Sequence, residues 1–254
     1  MDLDFTGKVV ITTGASSGIG AATAKLFAAH GALLTIIGRN ETKLLATAKA
    51  CEEAKGNKPL CLLLDLTAPN SCEEIVRKTV ETFGRIDVLI NCAGKLCCTS
   101  LFDNSMVIFD ELIALNLRVP YNLTQQCLRY LVKTKGNIVN VFSAPMRTRP
   151  GIMPCAMIRD ALERFTKASA IELATEGVRM NAVRPGITRT NYFSNINFDE
   201  ETMNDTYDLL AKTLPNRSVI EPEEIAKMIL FTASDTLPNL NSSNLIVDGS
   251  ASQF

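Results

Sequence analysis

The segment Thr13-Gly14-Ala15-Ser16-Ser17-Gly18-Ile19-Gly20 places three glycines and two serines between an apolar, β-branched run at 9–12 and an alanine-rich helical pattern at 21–30. A strand that turns on glycines into a helix gathers backbone N–H groups at the positive end of the helix dipole, which makes an anion site. Each glycine has its own task. Gly14 permits the tight turn, Gly18 lets a pyrophosphate approach the backbone, and Gly20 lets the helix pack close to the strand. An ordinary turn can share the spacing, but the position between strand and helix points to dinucleotide binding, with Ser16, Ser17 and Ile19 completing the cradle.

Those residues need elements to hold them. Strand-like runs at 8–13, 32–37, 60–64, 86–91, 137–142, 179–183 and 244–247 alternate with helical stretches near 18–30, 41–55, 69–83, 106–133, 157–176 and 222–234. Strands joined by helical crossovers predict an α/β fold, a doubly wound parallel sheet of seven strands covered on both faces. No repeat, linker or low-complexity segment interrupts the pattern. The stretch 188–218 is too long for a simple connection. It reads either as a lid or substrate loop, carrying Tyr192, Phe193, Phe198, Met203 and Tyr207, or as a helical hairpin packed for stability.

A chain of 254 residues that is 46 % hydrophobic can bury a full core in one unit. With 26 basic and 27 acidic residues it has no general attraction to nucleic acid or an anionic membrane. No basic-then-apolar leader precedes Gly7, and no apolar run approaches the ~18 residues of a membrane span. The eight cysteines include no CxxC pair, so the expectation is reduced thiols in the cytoplasm and no metal site. His30, the single histidine, stands before Gly31 and reads as the end of a helix.

Taken in order, TGASSGIG at 13–20, NCAG at 91–94, LNLRVP at 115–120, NIVNVFS at 137–143, NAVRPGITRT at 181–190, EPEEIA at 221–226 and VDG at 247–249 resemble the short-chain dehydrogenase/reductase family. The resemblance spans nearly the whole chain. It implies one Rossmann-type domain over 1–254 that binds NAD(P)H and moves hydride between nicotinamide C4 and a carbonyl or alcohol carbon. It also implies a homodimer or homotetramer, with 106–133 and 157–176 forming a four-helix contact between subunits.

The cofactor preference follows from the end of the second strand. A carboxylate there holds the ribose 2′-OH of NAD, whereas a cation accommodates the 2′-phosphate of NADP. Ile37-Gly38-Arg39-Asn40 offers no acid, so Arg39, helped by the Ser16 hydroxyl, predicts NADP(H). A solvated charge near Glu41 is the other reading of Arg39. The resemblance assigns Asp65 and Leu66 to the adenine. It assigns Asn91, Ala93 and Gly94 to the close passage of the cofactor, and Pro185, Gly186, Ile187 and Thr188 to the nicotinamide end.

The resemblance also makes Ser143 the group that fixes the carbonyl oxygen and Asn116 the support of a water-mediated proton path. The family's tyrosine and lysine, four residues apart on one helical face, fall on Cys155 and Arg159 when 161–167 is aligned with the family helix. No tyrosine lies between Tyr130 and Tyr192, so a shifted register does not restore one. A thiol is more acidic than a phenol, with ordinary pKa values of ~8.5 and ~10, and a nearby cation would lower it further. It ends several ångströms short of a phenol oxygen, and a general acid must come within ~2.6–3.2 Å of its target. Arg159 keeps a positive charge and is expected to hold the ribose hydroxyls.

Two further features flank this segment. Arg147 and Arg149, in a loop stiffened by Pro145, Pro150 and Pro154, read either as a fork for an anionic ligand or as surface charges. Cys97 and Cys98 read as redox-sensitive thiols at the pocket mouth or as small apolar residues. Three functions stay open: an NADP(H)-binding member with impaired or atypical hydride transfer, an active carbonyl reductase using water, Ser143 or Cys155 as proton donor, and a non-catalytic regulatory or hetero-oligomer partner. The small-molecule substrate is not specified by these residues.

Overall fold

The computed structural model describes residues 3–55, 57–145, 150–190, 192 and 200–253, with 55 and 200–204 as backbone only. Its strands are β1 (Val9–Thr13), β2 (Leu33–Gly38), β3 (Leu60–Leu63), β4 (Val88–Asn91), β5 (Asn137–Val141), β6 (Arg179–Pro185) and β7 (Asn244–Val247). They form one seven-stranded sheet in the order β3-β2-β1-β4-β5-β6-β7, and every pairing is parallel. The helices are α1 (Gly18–Ala29), α2 (Glu41–Lys55), α3 (Ser71–Phe83), α4 (Val107–Ile113), α5 (Val119–Thr134), α6 (Met153–Ala174), α7 (Glu200–Thr213) and α8 (Pro222–Ala233).

Successive residues of a strand enter opposite layers. Val10, Ile36, Ile90 and Val139 pack in one cluster with Phe27 of α1, Leu44 of α2 and Ile229 of α8. Their neighbours Ile11, Ile37, Leu89 and Ile138 pack in the other with Ile75 of α3, Leu123 of α5 and Ala170 of α6. Residues facing two apolar layers must be apolar throughout, which is why these strands read as continuous β-branched runs. The sheet order reverses at β1, where β2 and β4 lie on opposite sides. Connections leaving β1 and β4 therefore diverge and open a crevice at the carboxyl ends of the strands.

Several boundaries differ from the sequence reading. The stretch 106–133 is not one helix, because a π-helical segment, Ala114–Arg118, separates α4 from α5. Helix α6 begins at Met153, ahead of the expected 157, with Pro154 in its first turn, where a missing N–H costs nothing. The stretch 188–218 contains α7 and is tied to the sheet end by a bridge between Thr188 and Ile220. Within it Tyr207 is buried against Val219 and does not face a pocket. Phe193 and Phe198, and the side chain of Met203, lie outside the described residues. Leu112, Leu123, Leu162 and Leu173, on the two stretches implied to form a subunit contact, are buried in the chain's own core. His30 ends α1, with Nδ1 2.8 Å from Leu26 O. No helix among the described residues is long and apolar enough to cross a membrane.

A buried polar chain links the sheet to α6. Asn91 Nδ2 donates to Asn140 Oδ1 at 2.9 Å, Asn140 Nδ2 donates to Thr166 Oγ1 at 3.0 Å, and Thr166 Oγ1 donates to Leu162 O at 2.8 Å. It fixes α6 relative to the ends of β4 and β5. Asn140→Ala leaves the buried Asn91 Nδ2 without its partner, removes the donor to Thr166 Oγ1, and is expected to lower unfolding free energy by about 1–3 kcal/mol. A urea denaturation midpoint equal to that of the unaltered protein would contradict this.

Candidate functional site

The turn after β1 is closed from three sides. Thr13 Oγ1 accepts Cys92 N and Ala93 N, both at 3.0 Å, and Ala15 N donates to Ile37 O at 2.9 Å. Gly14 has φ +72°, and a Cβ there would lie 2.9 Å from Ala93 Cα. At Gly20 a Cβ would meet Gly14 O inside contact distance, so α1 reaches the strand only because no side chain intervenes. The space beside Gly18 is bounded by the Thr190 side chain.

From this turn a cleft of about 1180 Å³ runs along the carboxyl ends of the strands. Gly14, Ser16, Ser17, Gly18, Ile19 and Gly20 form its floor, and Arg39, Asp65 and Leu66 line it beyond β2 and β3. Asn91, Ala93 and Gly94 enter from β4, and Pro185, Gly186, Ile187 and Thr188 from β6. Asn116, Ser143, Cys155 and Arg159 line it as well. Arg147 and Arg149 lie outside the described residues. Among the described residues no group of three or more His, Cys, Asp or Glu is placed to hold a metal ion.

The residues beyond β2 suit a phosphorylated ribose. Ser16 Oγ is enclosed beside Gly38 and has no hydrogen-bond partner among the described residues. An enclosed hydroxyl of this kind calls for a partner from a ligand or water. Arg39 is exposed and lies 3.9 Å from Asp65, a wide separation for an ion pair in water. Asp65 Oδ1 is already engaged by Thr67 N at 2.8 Å and Thr67 Oγ1 at 2.7 Å. Those bonds, then Arg39, hold its carboxyl below the usual range. The Arg39 guanidinium therefore keeps most of its donors for an anion.

At the other end of the cleft the side chains are held by neighbouring backbone. Asn116 sits in the π-helical segment, donating Nδ2 to Lys95 O at 2.8 Å and accepting Lys95 N at 3.0 Å. The wider turn is a common device for presenting a functional side chain. Ser143 follows β5, and its carbonyl accepts Arg184 Nε at 3.3 Å. Arg184 also stacks over Phe142 and bonds Glu163 of α6. Cys155 and Arg159 stand one turn apart at the start of α6. Arg159 Nε donates to Asp160 Oδ1 at 3.0 Å.

The expected acid thiol is not found. Cys155 Sγ is turned toward Cys97 O at 3.7 Å, and burial pushes the thiol up, with Cys97 and Cys98 adding to the rise. Arg159 does not offset this, so the anticipated lowering by a cation is overturned. Cys97 is half-buried, Cys98 is exposed, and all eight cysteines are free thiols.

Among the cleft residues not predicted as site residues, one carries an ionisable hydroxyl. Tyr192 lines the same cavity, with Oη 3.4 Å from Lys95 O. A signal existed: it lies four residues beyond Thr188, the last residue assigned to the nicotinamide end.

Comparison with known proteins agrees with this architecture. A family model described as Enoyl-(Acyl carrier protein) reductase matches residues 14–251. The 3-oxoacyl-[acyl-carrier-protein] reductase FabG of Thermotoga maritima is 34 % identical over 245 residues, covering 96 % of this chain and 97 % of its own. Oxidoreductase UcpA of Salmonella typhimurium is 32 % identical over 251 residues, covering 96 % and 94 %. A Caenorhabditis elegans short-chain dehydrogenase/reductase of unknown function, solved with cofactor, superposes with a TM-score of 0.93 at 32 % identity, covering 98 % of this chain and 96 % of that one.

The thiol geometry makes a direct prediction. At pH 7 iodoacetamide is expected to label Cys98 at least about tenfold faster than Cys155, and Cys155 labelling to climb as pH passes the ordinary thiol value of 9.0. Peptide mapping by mass spectrometry reads both. Equal rates at pH 7 would show that burial does not keep the Cys155 thiol protonated.

Proposed function

The chain belongs to the short-chain dehydrogenase/reductase family, and we propose that it is an NADP(H)-binding member whose carbonyl and alcohol hydride transfer is slow and atypical. The observation that carries this reading is the pairing of Asn116 and Ser143 with Cys155 and Arg159 in one cleft. In the proposed arrangement the glycine loop and the α1 N-terminus take the pyrophosphate. Arg39 and Ser16 take the 2′-phosphate, and Asp65 and Leu66 flank the adenine. Asn91, Ala93 and Gly94 keep the passage open. Gly186, Ile187 and Thr188, set by Pro185, hold the carboxamide end. The bound nicotinamide supplies or accepts a hydride at C4.

The remaining chemistry falls to the chain's own side chains. Ser143 orients the substrate oxygen. Arg159 keeps positive charge beside the ribose, where its planar fork takes hydroxyls as acceptors. The Cys155 thiol is short and its Sγ is turned toward Cys97 O, so it does not reach a developing alkoxide. Leu210 of α7 and Leu214 just beyond it make their wall of the cleft apolar, which suits an uncharged carbonyl compound.

Calorimetric titration is expected to give at least about tenfold tighter binding of NADPH than of NADH, or ~1.4 kcal/mol. Arg39→Asp should abolish the difference. Equal affinities in the unaltered protein would remove the basis of the preference. Replacing Cys155 by Tyr together with Arg159 by Lys is expected to raise ketone turnover by about 10²–10⁴ at unchanged NADPH affinity. Ordinary enzyme rates in the unaltered protein would refute slow transfer. A homodimer or homotetramer is part of the proposal, and exposed Tyr121 and Ile171 are available on α5 and α6. Light scattering that finds monomer alone at micromolar concentration would contradict it.

A further inference from the structure

The cleft does contain a phenol, delivered from a different element than α6. Of the four tyrosines in the chain, Tyr121 packs on Phe165, Tyr130 lies under Arg129, and Tyr207 is buried with its hydroxyl donating to Thr190 O at 2.7 Å. Tyr192 alone of the four lines the cavity. Its position is built from below. Tyr207 Oη also accepts Thr190 N at 3.1 Å, and Thr190 Oγ1 accepts Tyr192 N at 3.2 Å.

Tyr192 Oη lies 3.4 Å from Lys95 O, long for a hydroxyl bond. The same carbonyl is fixed by Asn116, which puts the phenol beside the asparagine already assigned to the site. The residue keeps 37 % of its surface accessible and lines the cavity. Burial, then the Cys155 and Cys97 thiols, raise the phenol above its ordinary range, so it holds its proton at neutral pH and gives it up less readily than an ordinary phenol.

We propose that Tyr192 donates the proton to the substrate oxygen in carbonyl reduction, the task that α6 no longer performs. This rests on the reading that the cleft takes NADP(H) and a carbonyl compound. Hydride from the reduced nicotinamide adds to the carbonyl carbon and the π pair moves to oxygen. That oxygen takes the proton of Tyr192 Oη as the phenol O–H bond breaks, and solvent returns a proton to the phenolate. The nearby Lys95 ammonium is engaged by Glu111 of α4 and does not neutralise the phenolate, which accounts for slow turnover.

The test is Tyr192→Phe, which keeps the ring and removes the donor. NADPH-dependent reduction of acetophenone is expected to fall at least about 10²-fold. Without cofactor, calorimetric acetophenone affinity is expected to fall about tenfold, with ethylbenzene and NADPH affinities unchanged. Unchanged rate and unchanged acetophenone affinity in the variant overturn the proposal, as does an NADPH-binding parent with no turnover. A parent that fails to bind NADPH refutes the cofactor reading instead, and the acetophenone contrast then decides whether Tyr192 meets the ligand oxygen.

Discussion

The hydroxyl of Thr13 accepts the N–H groups of Cys92 and Ala93, and this contact sets the spacing between the ends of β1 and β4. Gly14 then lies against Ala93 and Gly20 against Gly14, so two strands and one helix meet where no Cβ fits. A larger residue at either glycine would push α1 off the strand end and open the phosphate floor. The crevice, the loop and the first turn of α1 are thus one steric unit.

The two ends of the cleft meet different electrostatic demands. Beyond β2, Arg39 faces a carboxylate that Thr67 already occupies, leaving positive potential for an anion. Beyond β5, charge is tied up within the protein: Arg184 with Glu163, Lys95 with Glu111, and Arg159 with Asp160. Pairing of this kind orients backbone and helix but leaves little free cation to stabilise a phenolate or thiolate. Strong phosphate binding and weak acid–base chemistry are therefore compatible in one cavity.

Much of this was legible in the residues. The β-branched runs identified the inner strands because both faces are buried there, unlike edge strands β3 and β7, and the glycine spacing marked the crevice because sterics there tolerate nothing else. The break at Ala114–Arg118 was not legible, since those residues continue the apolar pattern of the helices around them. Tyr192 was read only as part of a lid or a packed hairpin because its contact with Lys95 spans 97 residues of sequence, a separation that local patterns do not register. Cys155 lines the cleft, but its acidity differs from the expectation. Its neighbours in sequence suggested a cation, whereas its neighbours in space are a carbonyl and two thiols.

Strand order also has a consequence for how the chain is made. β1 pairs first with β2, but its other neighbour begins far downstream, where Val9 N meets Asp87 at a separation of 78 residues. While the chain is being synthesised, β1 is for a time an open apolar edge, the kind of surface on which unfinished chains aggregate. Because Gly14 closes only against Ala93, the nucleotide floor cannot exist until β4 has docked and that edge is covered. A dinucleotide that binds there recognises only chains past this stage, and by mass action it draws the population toward them.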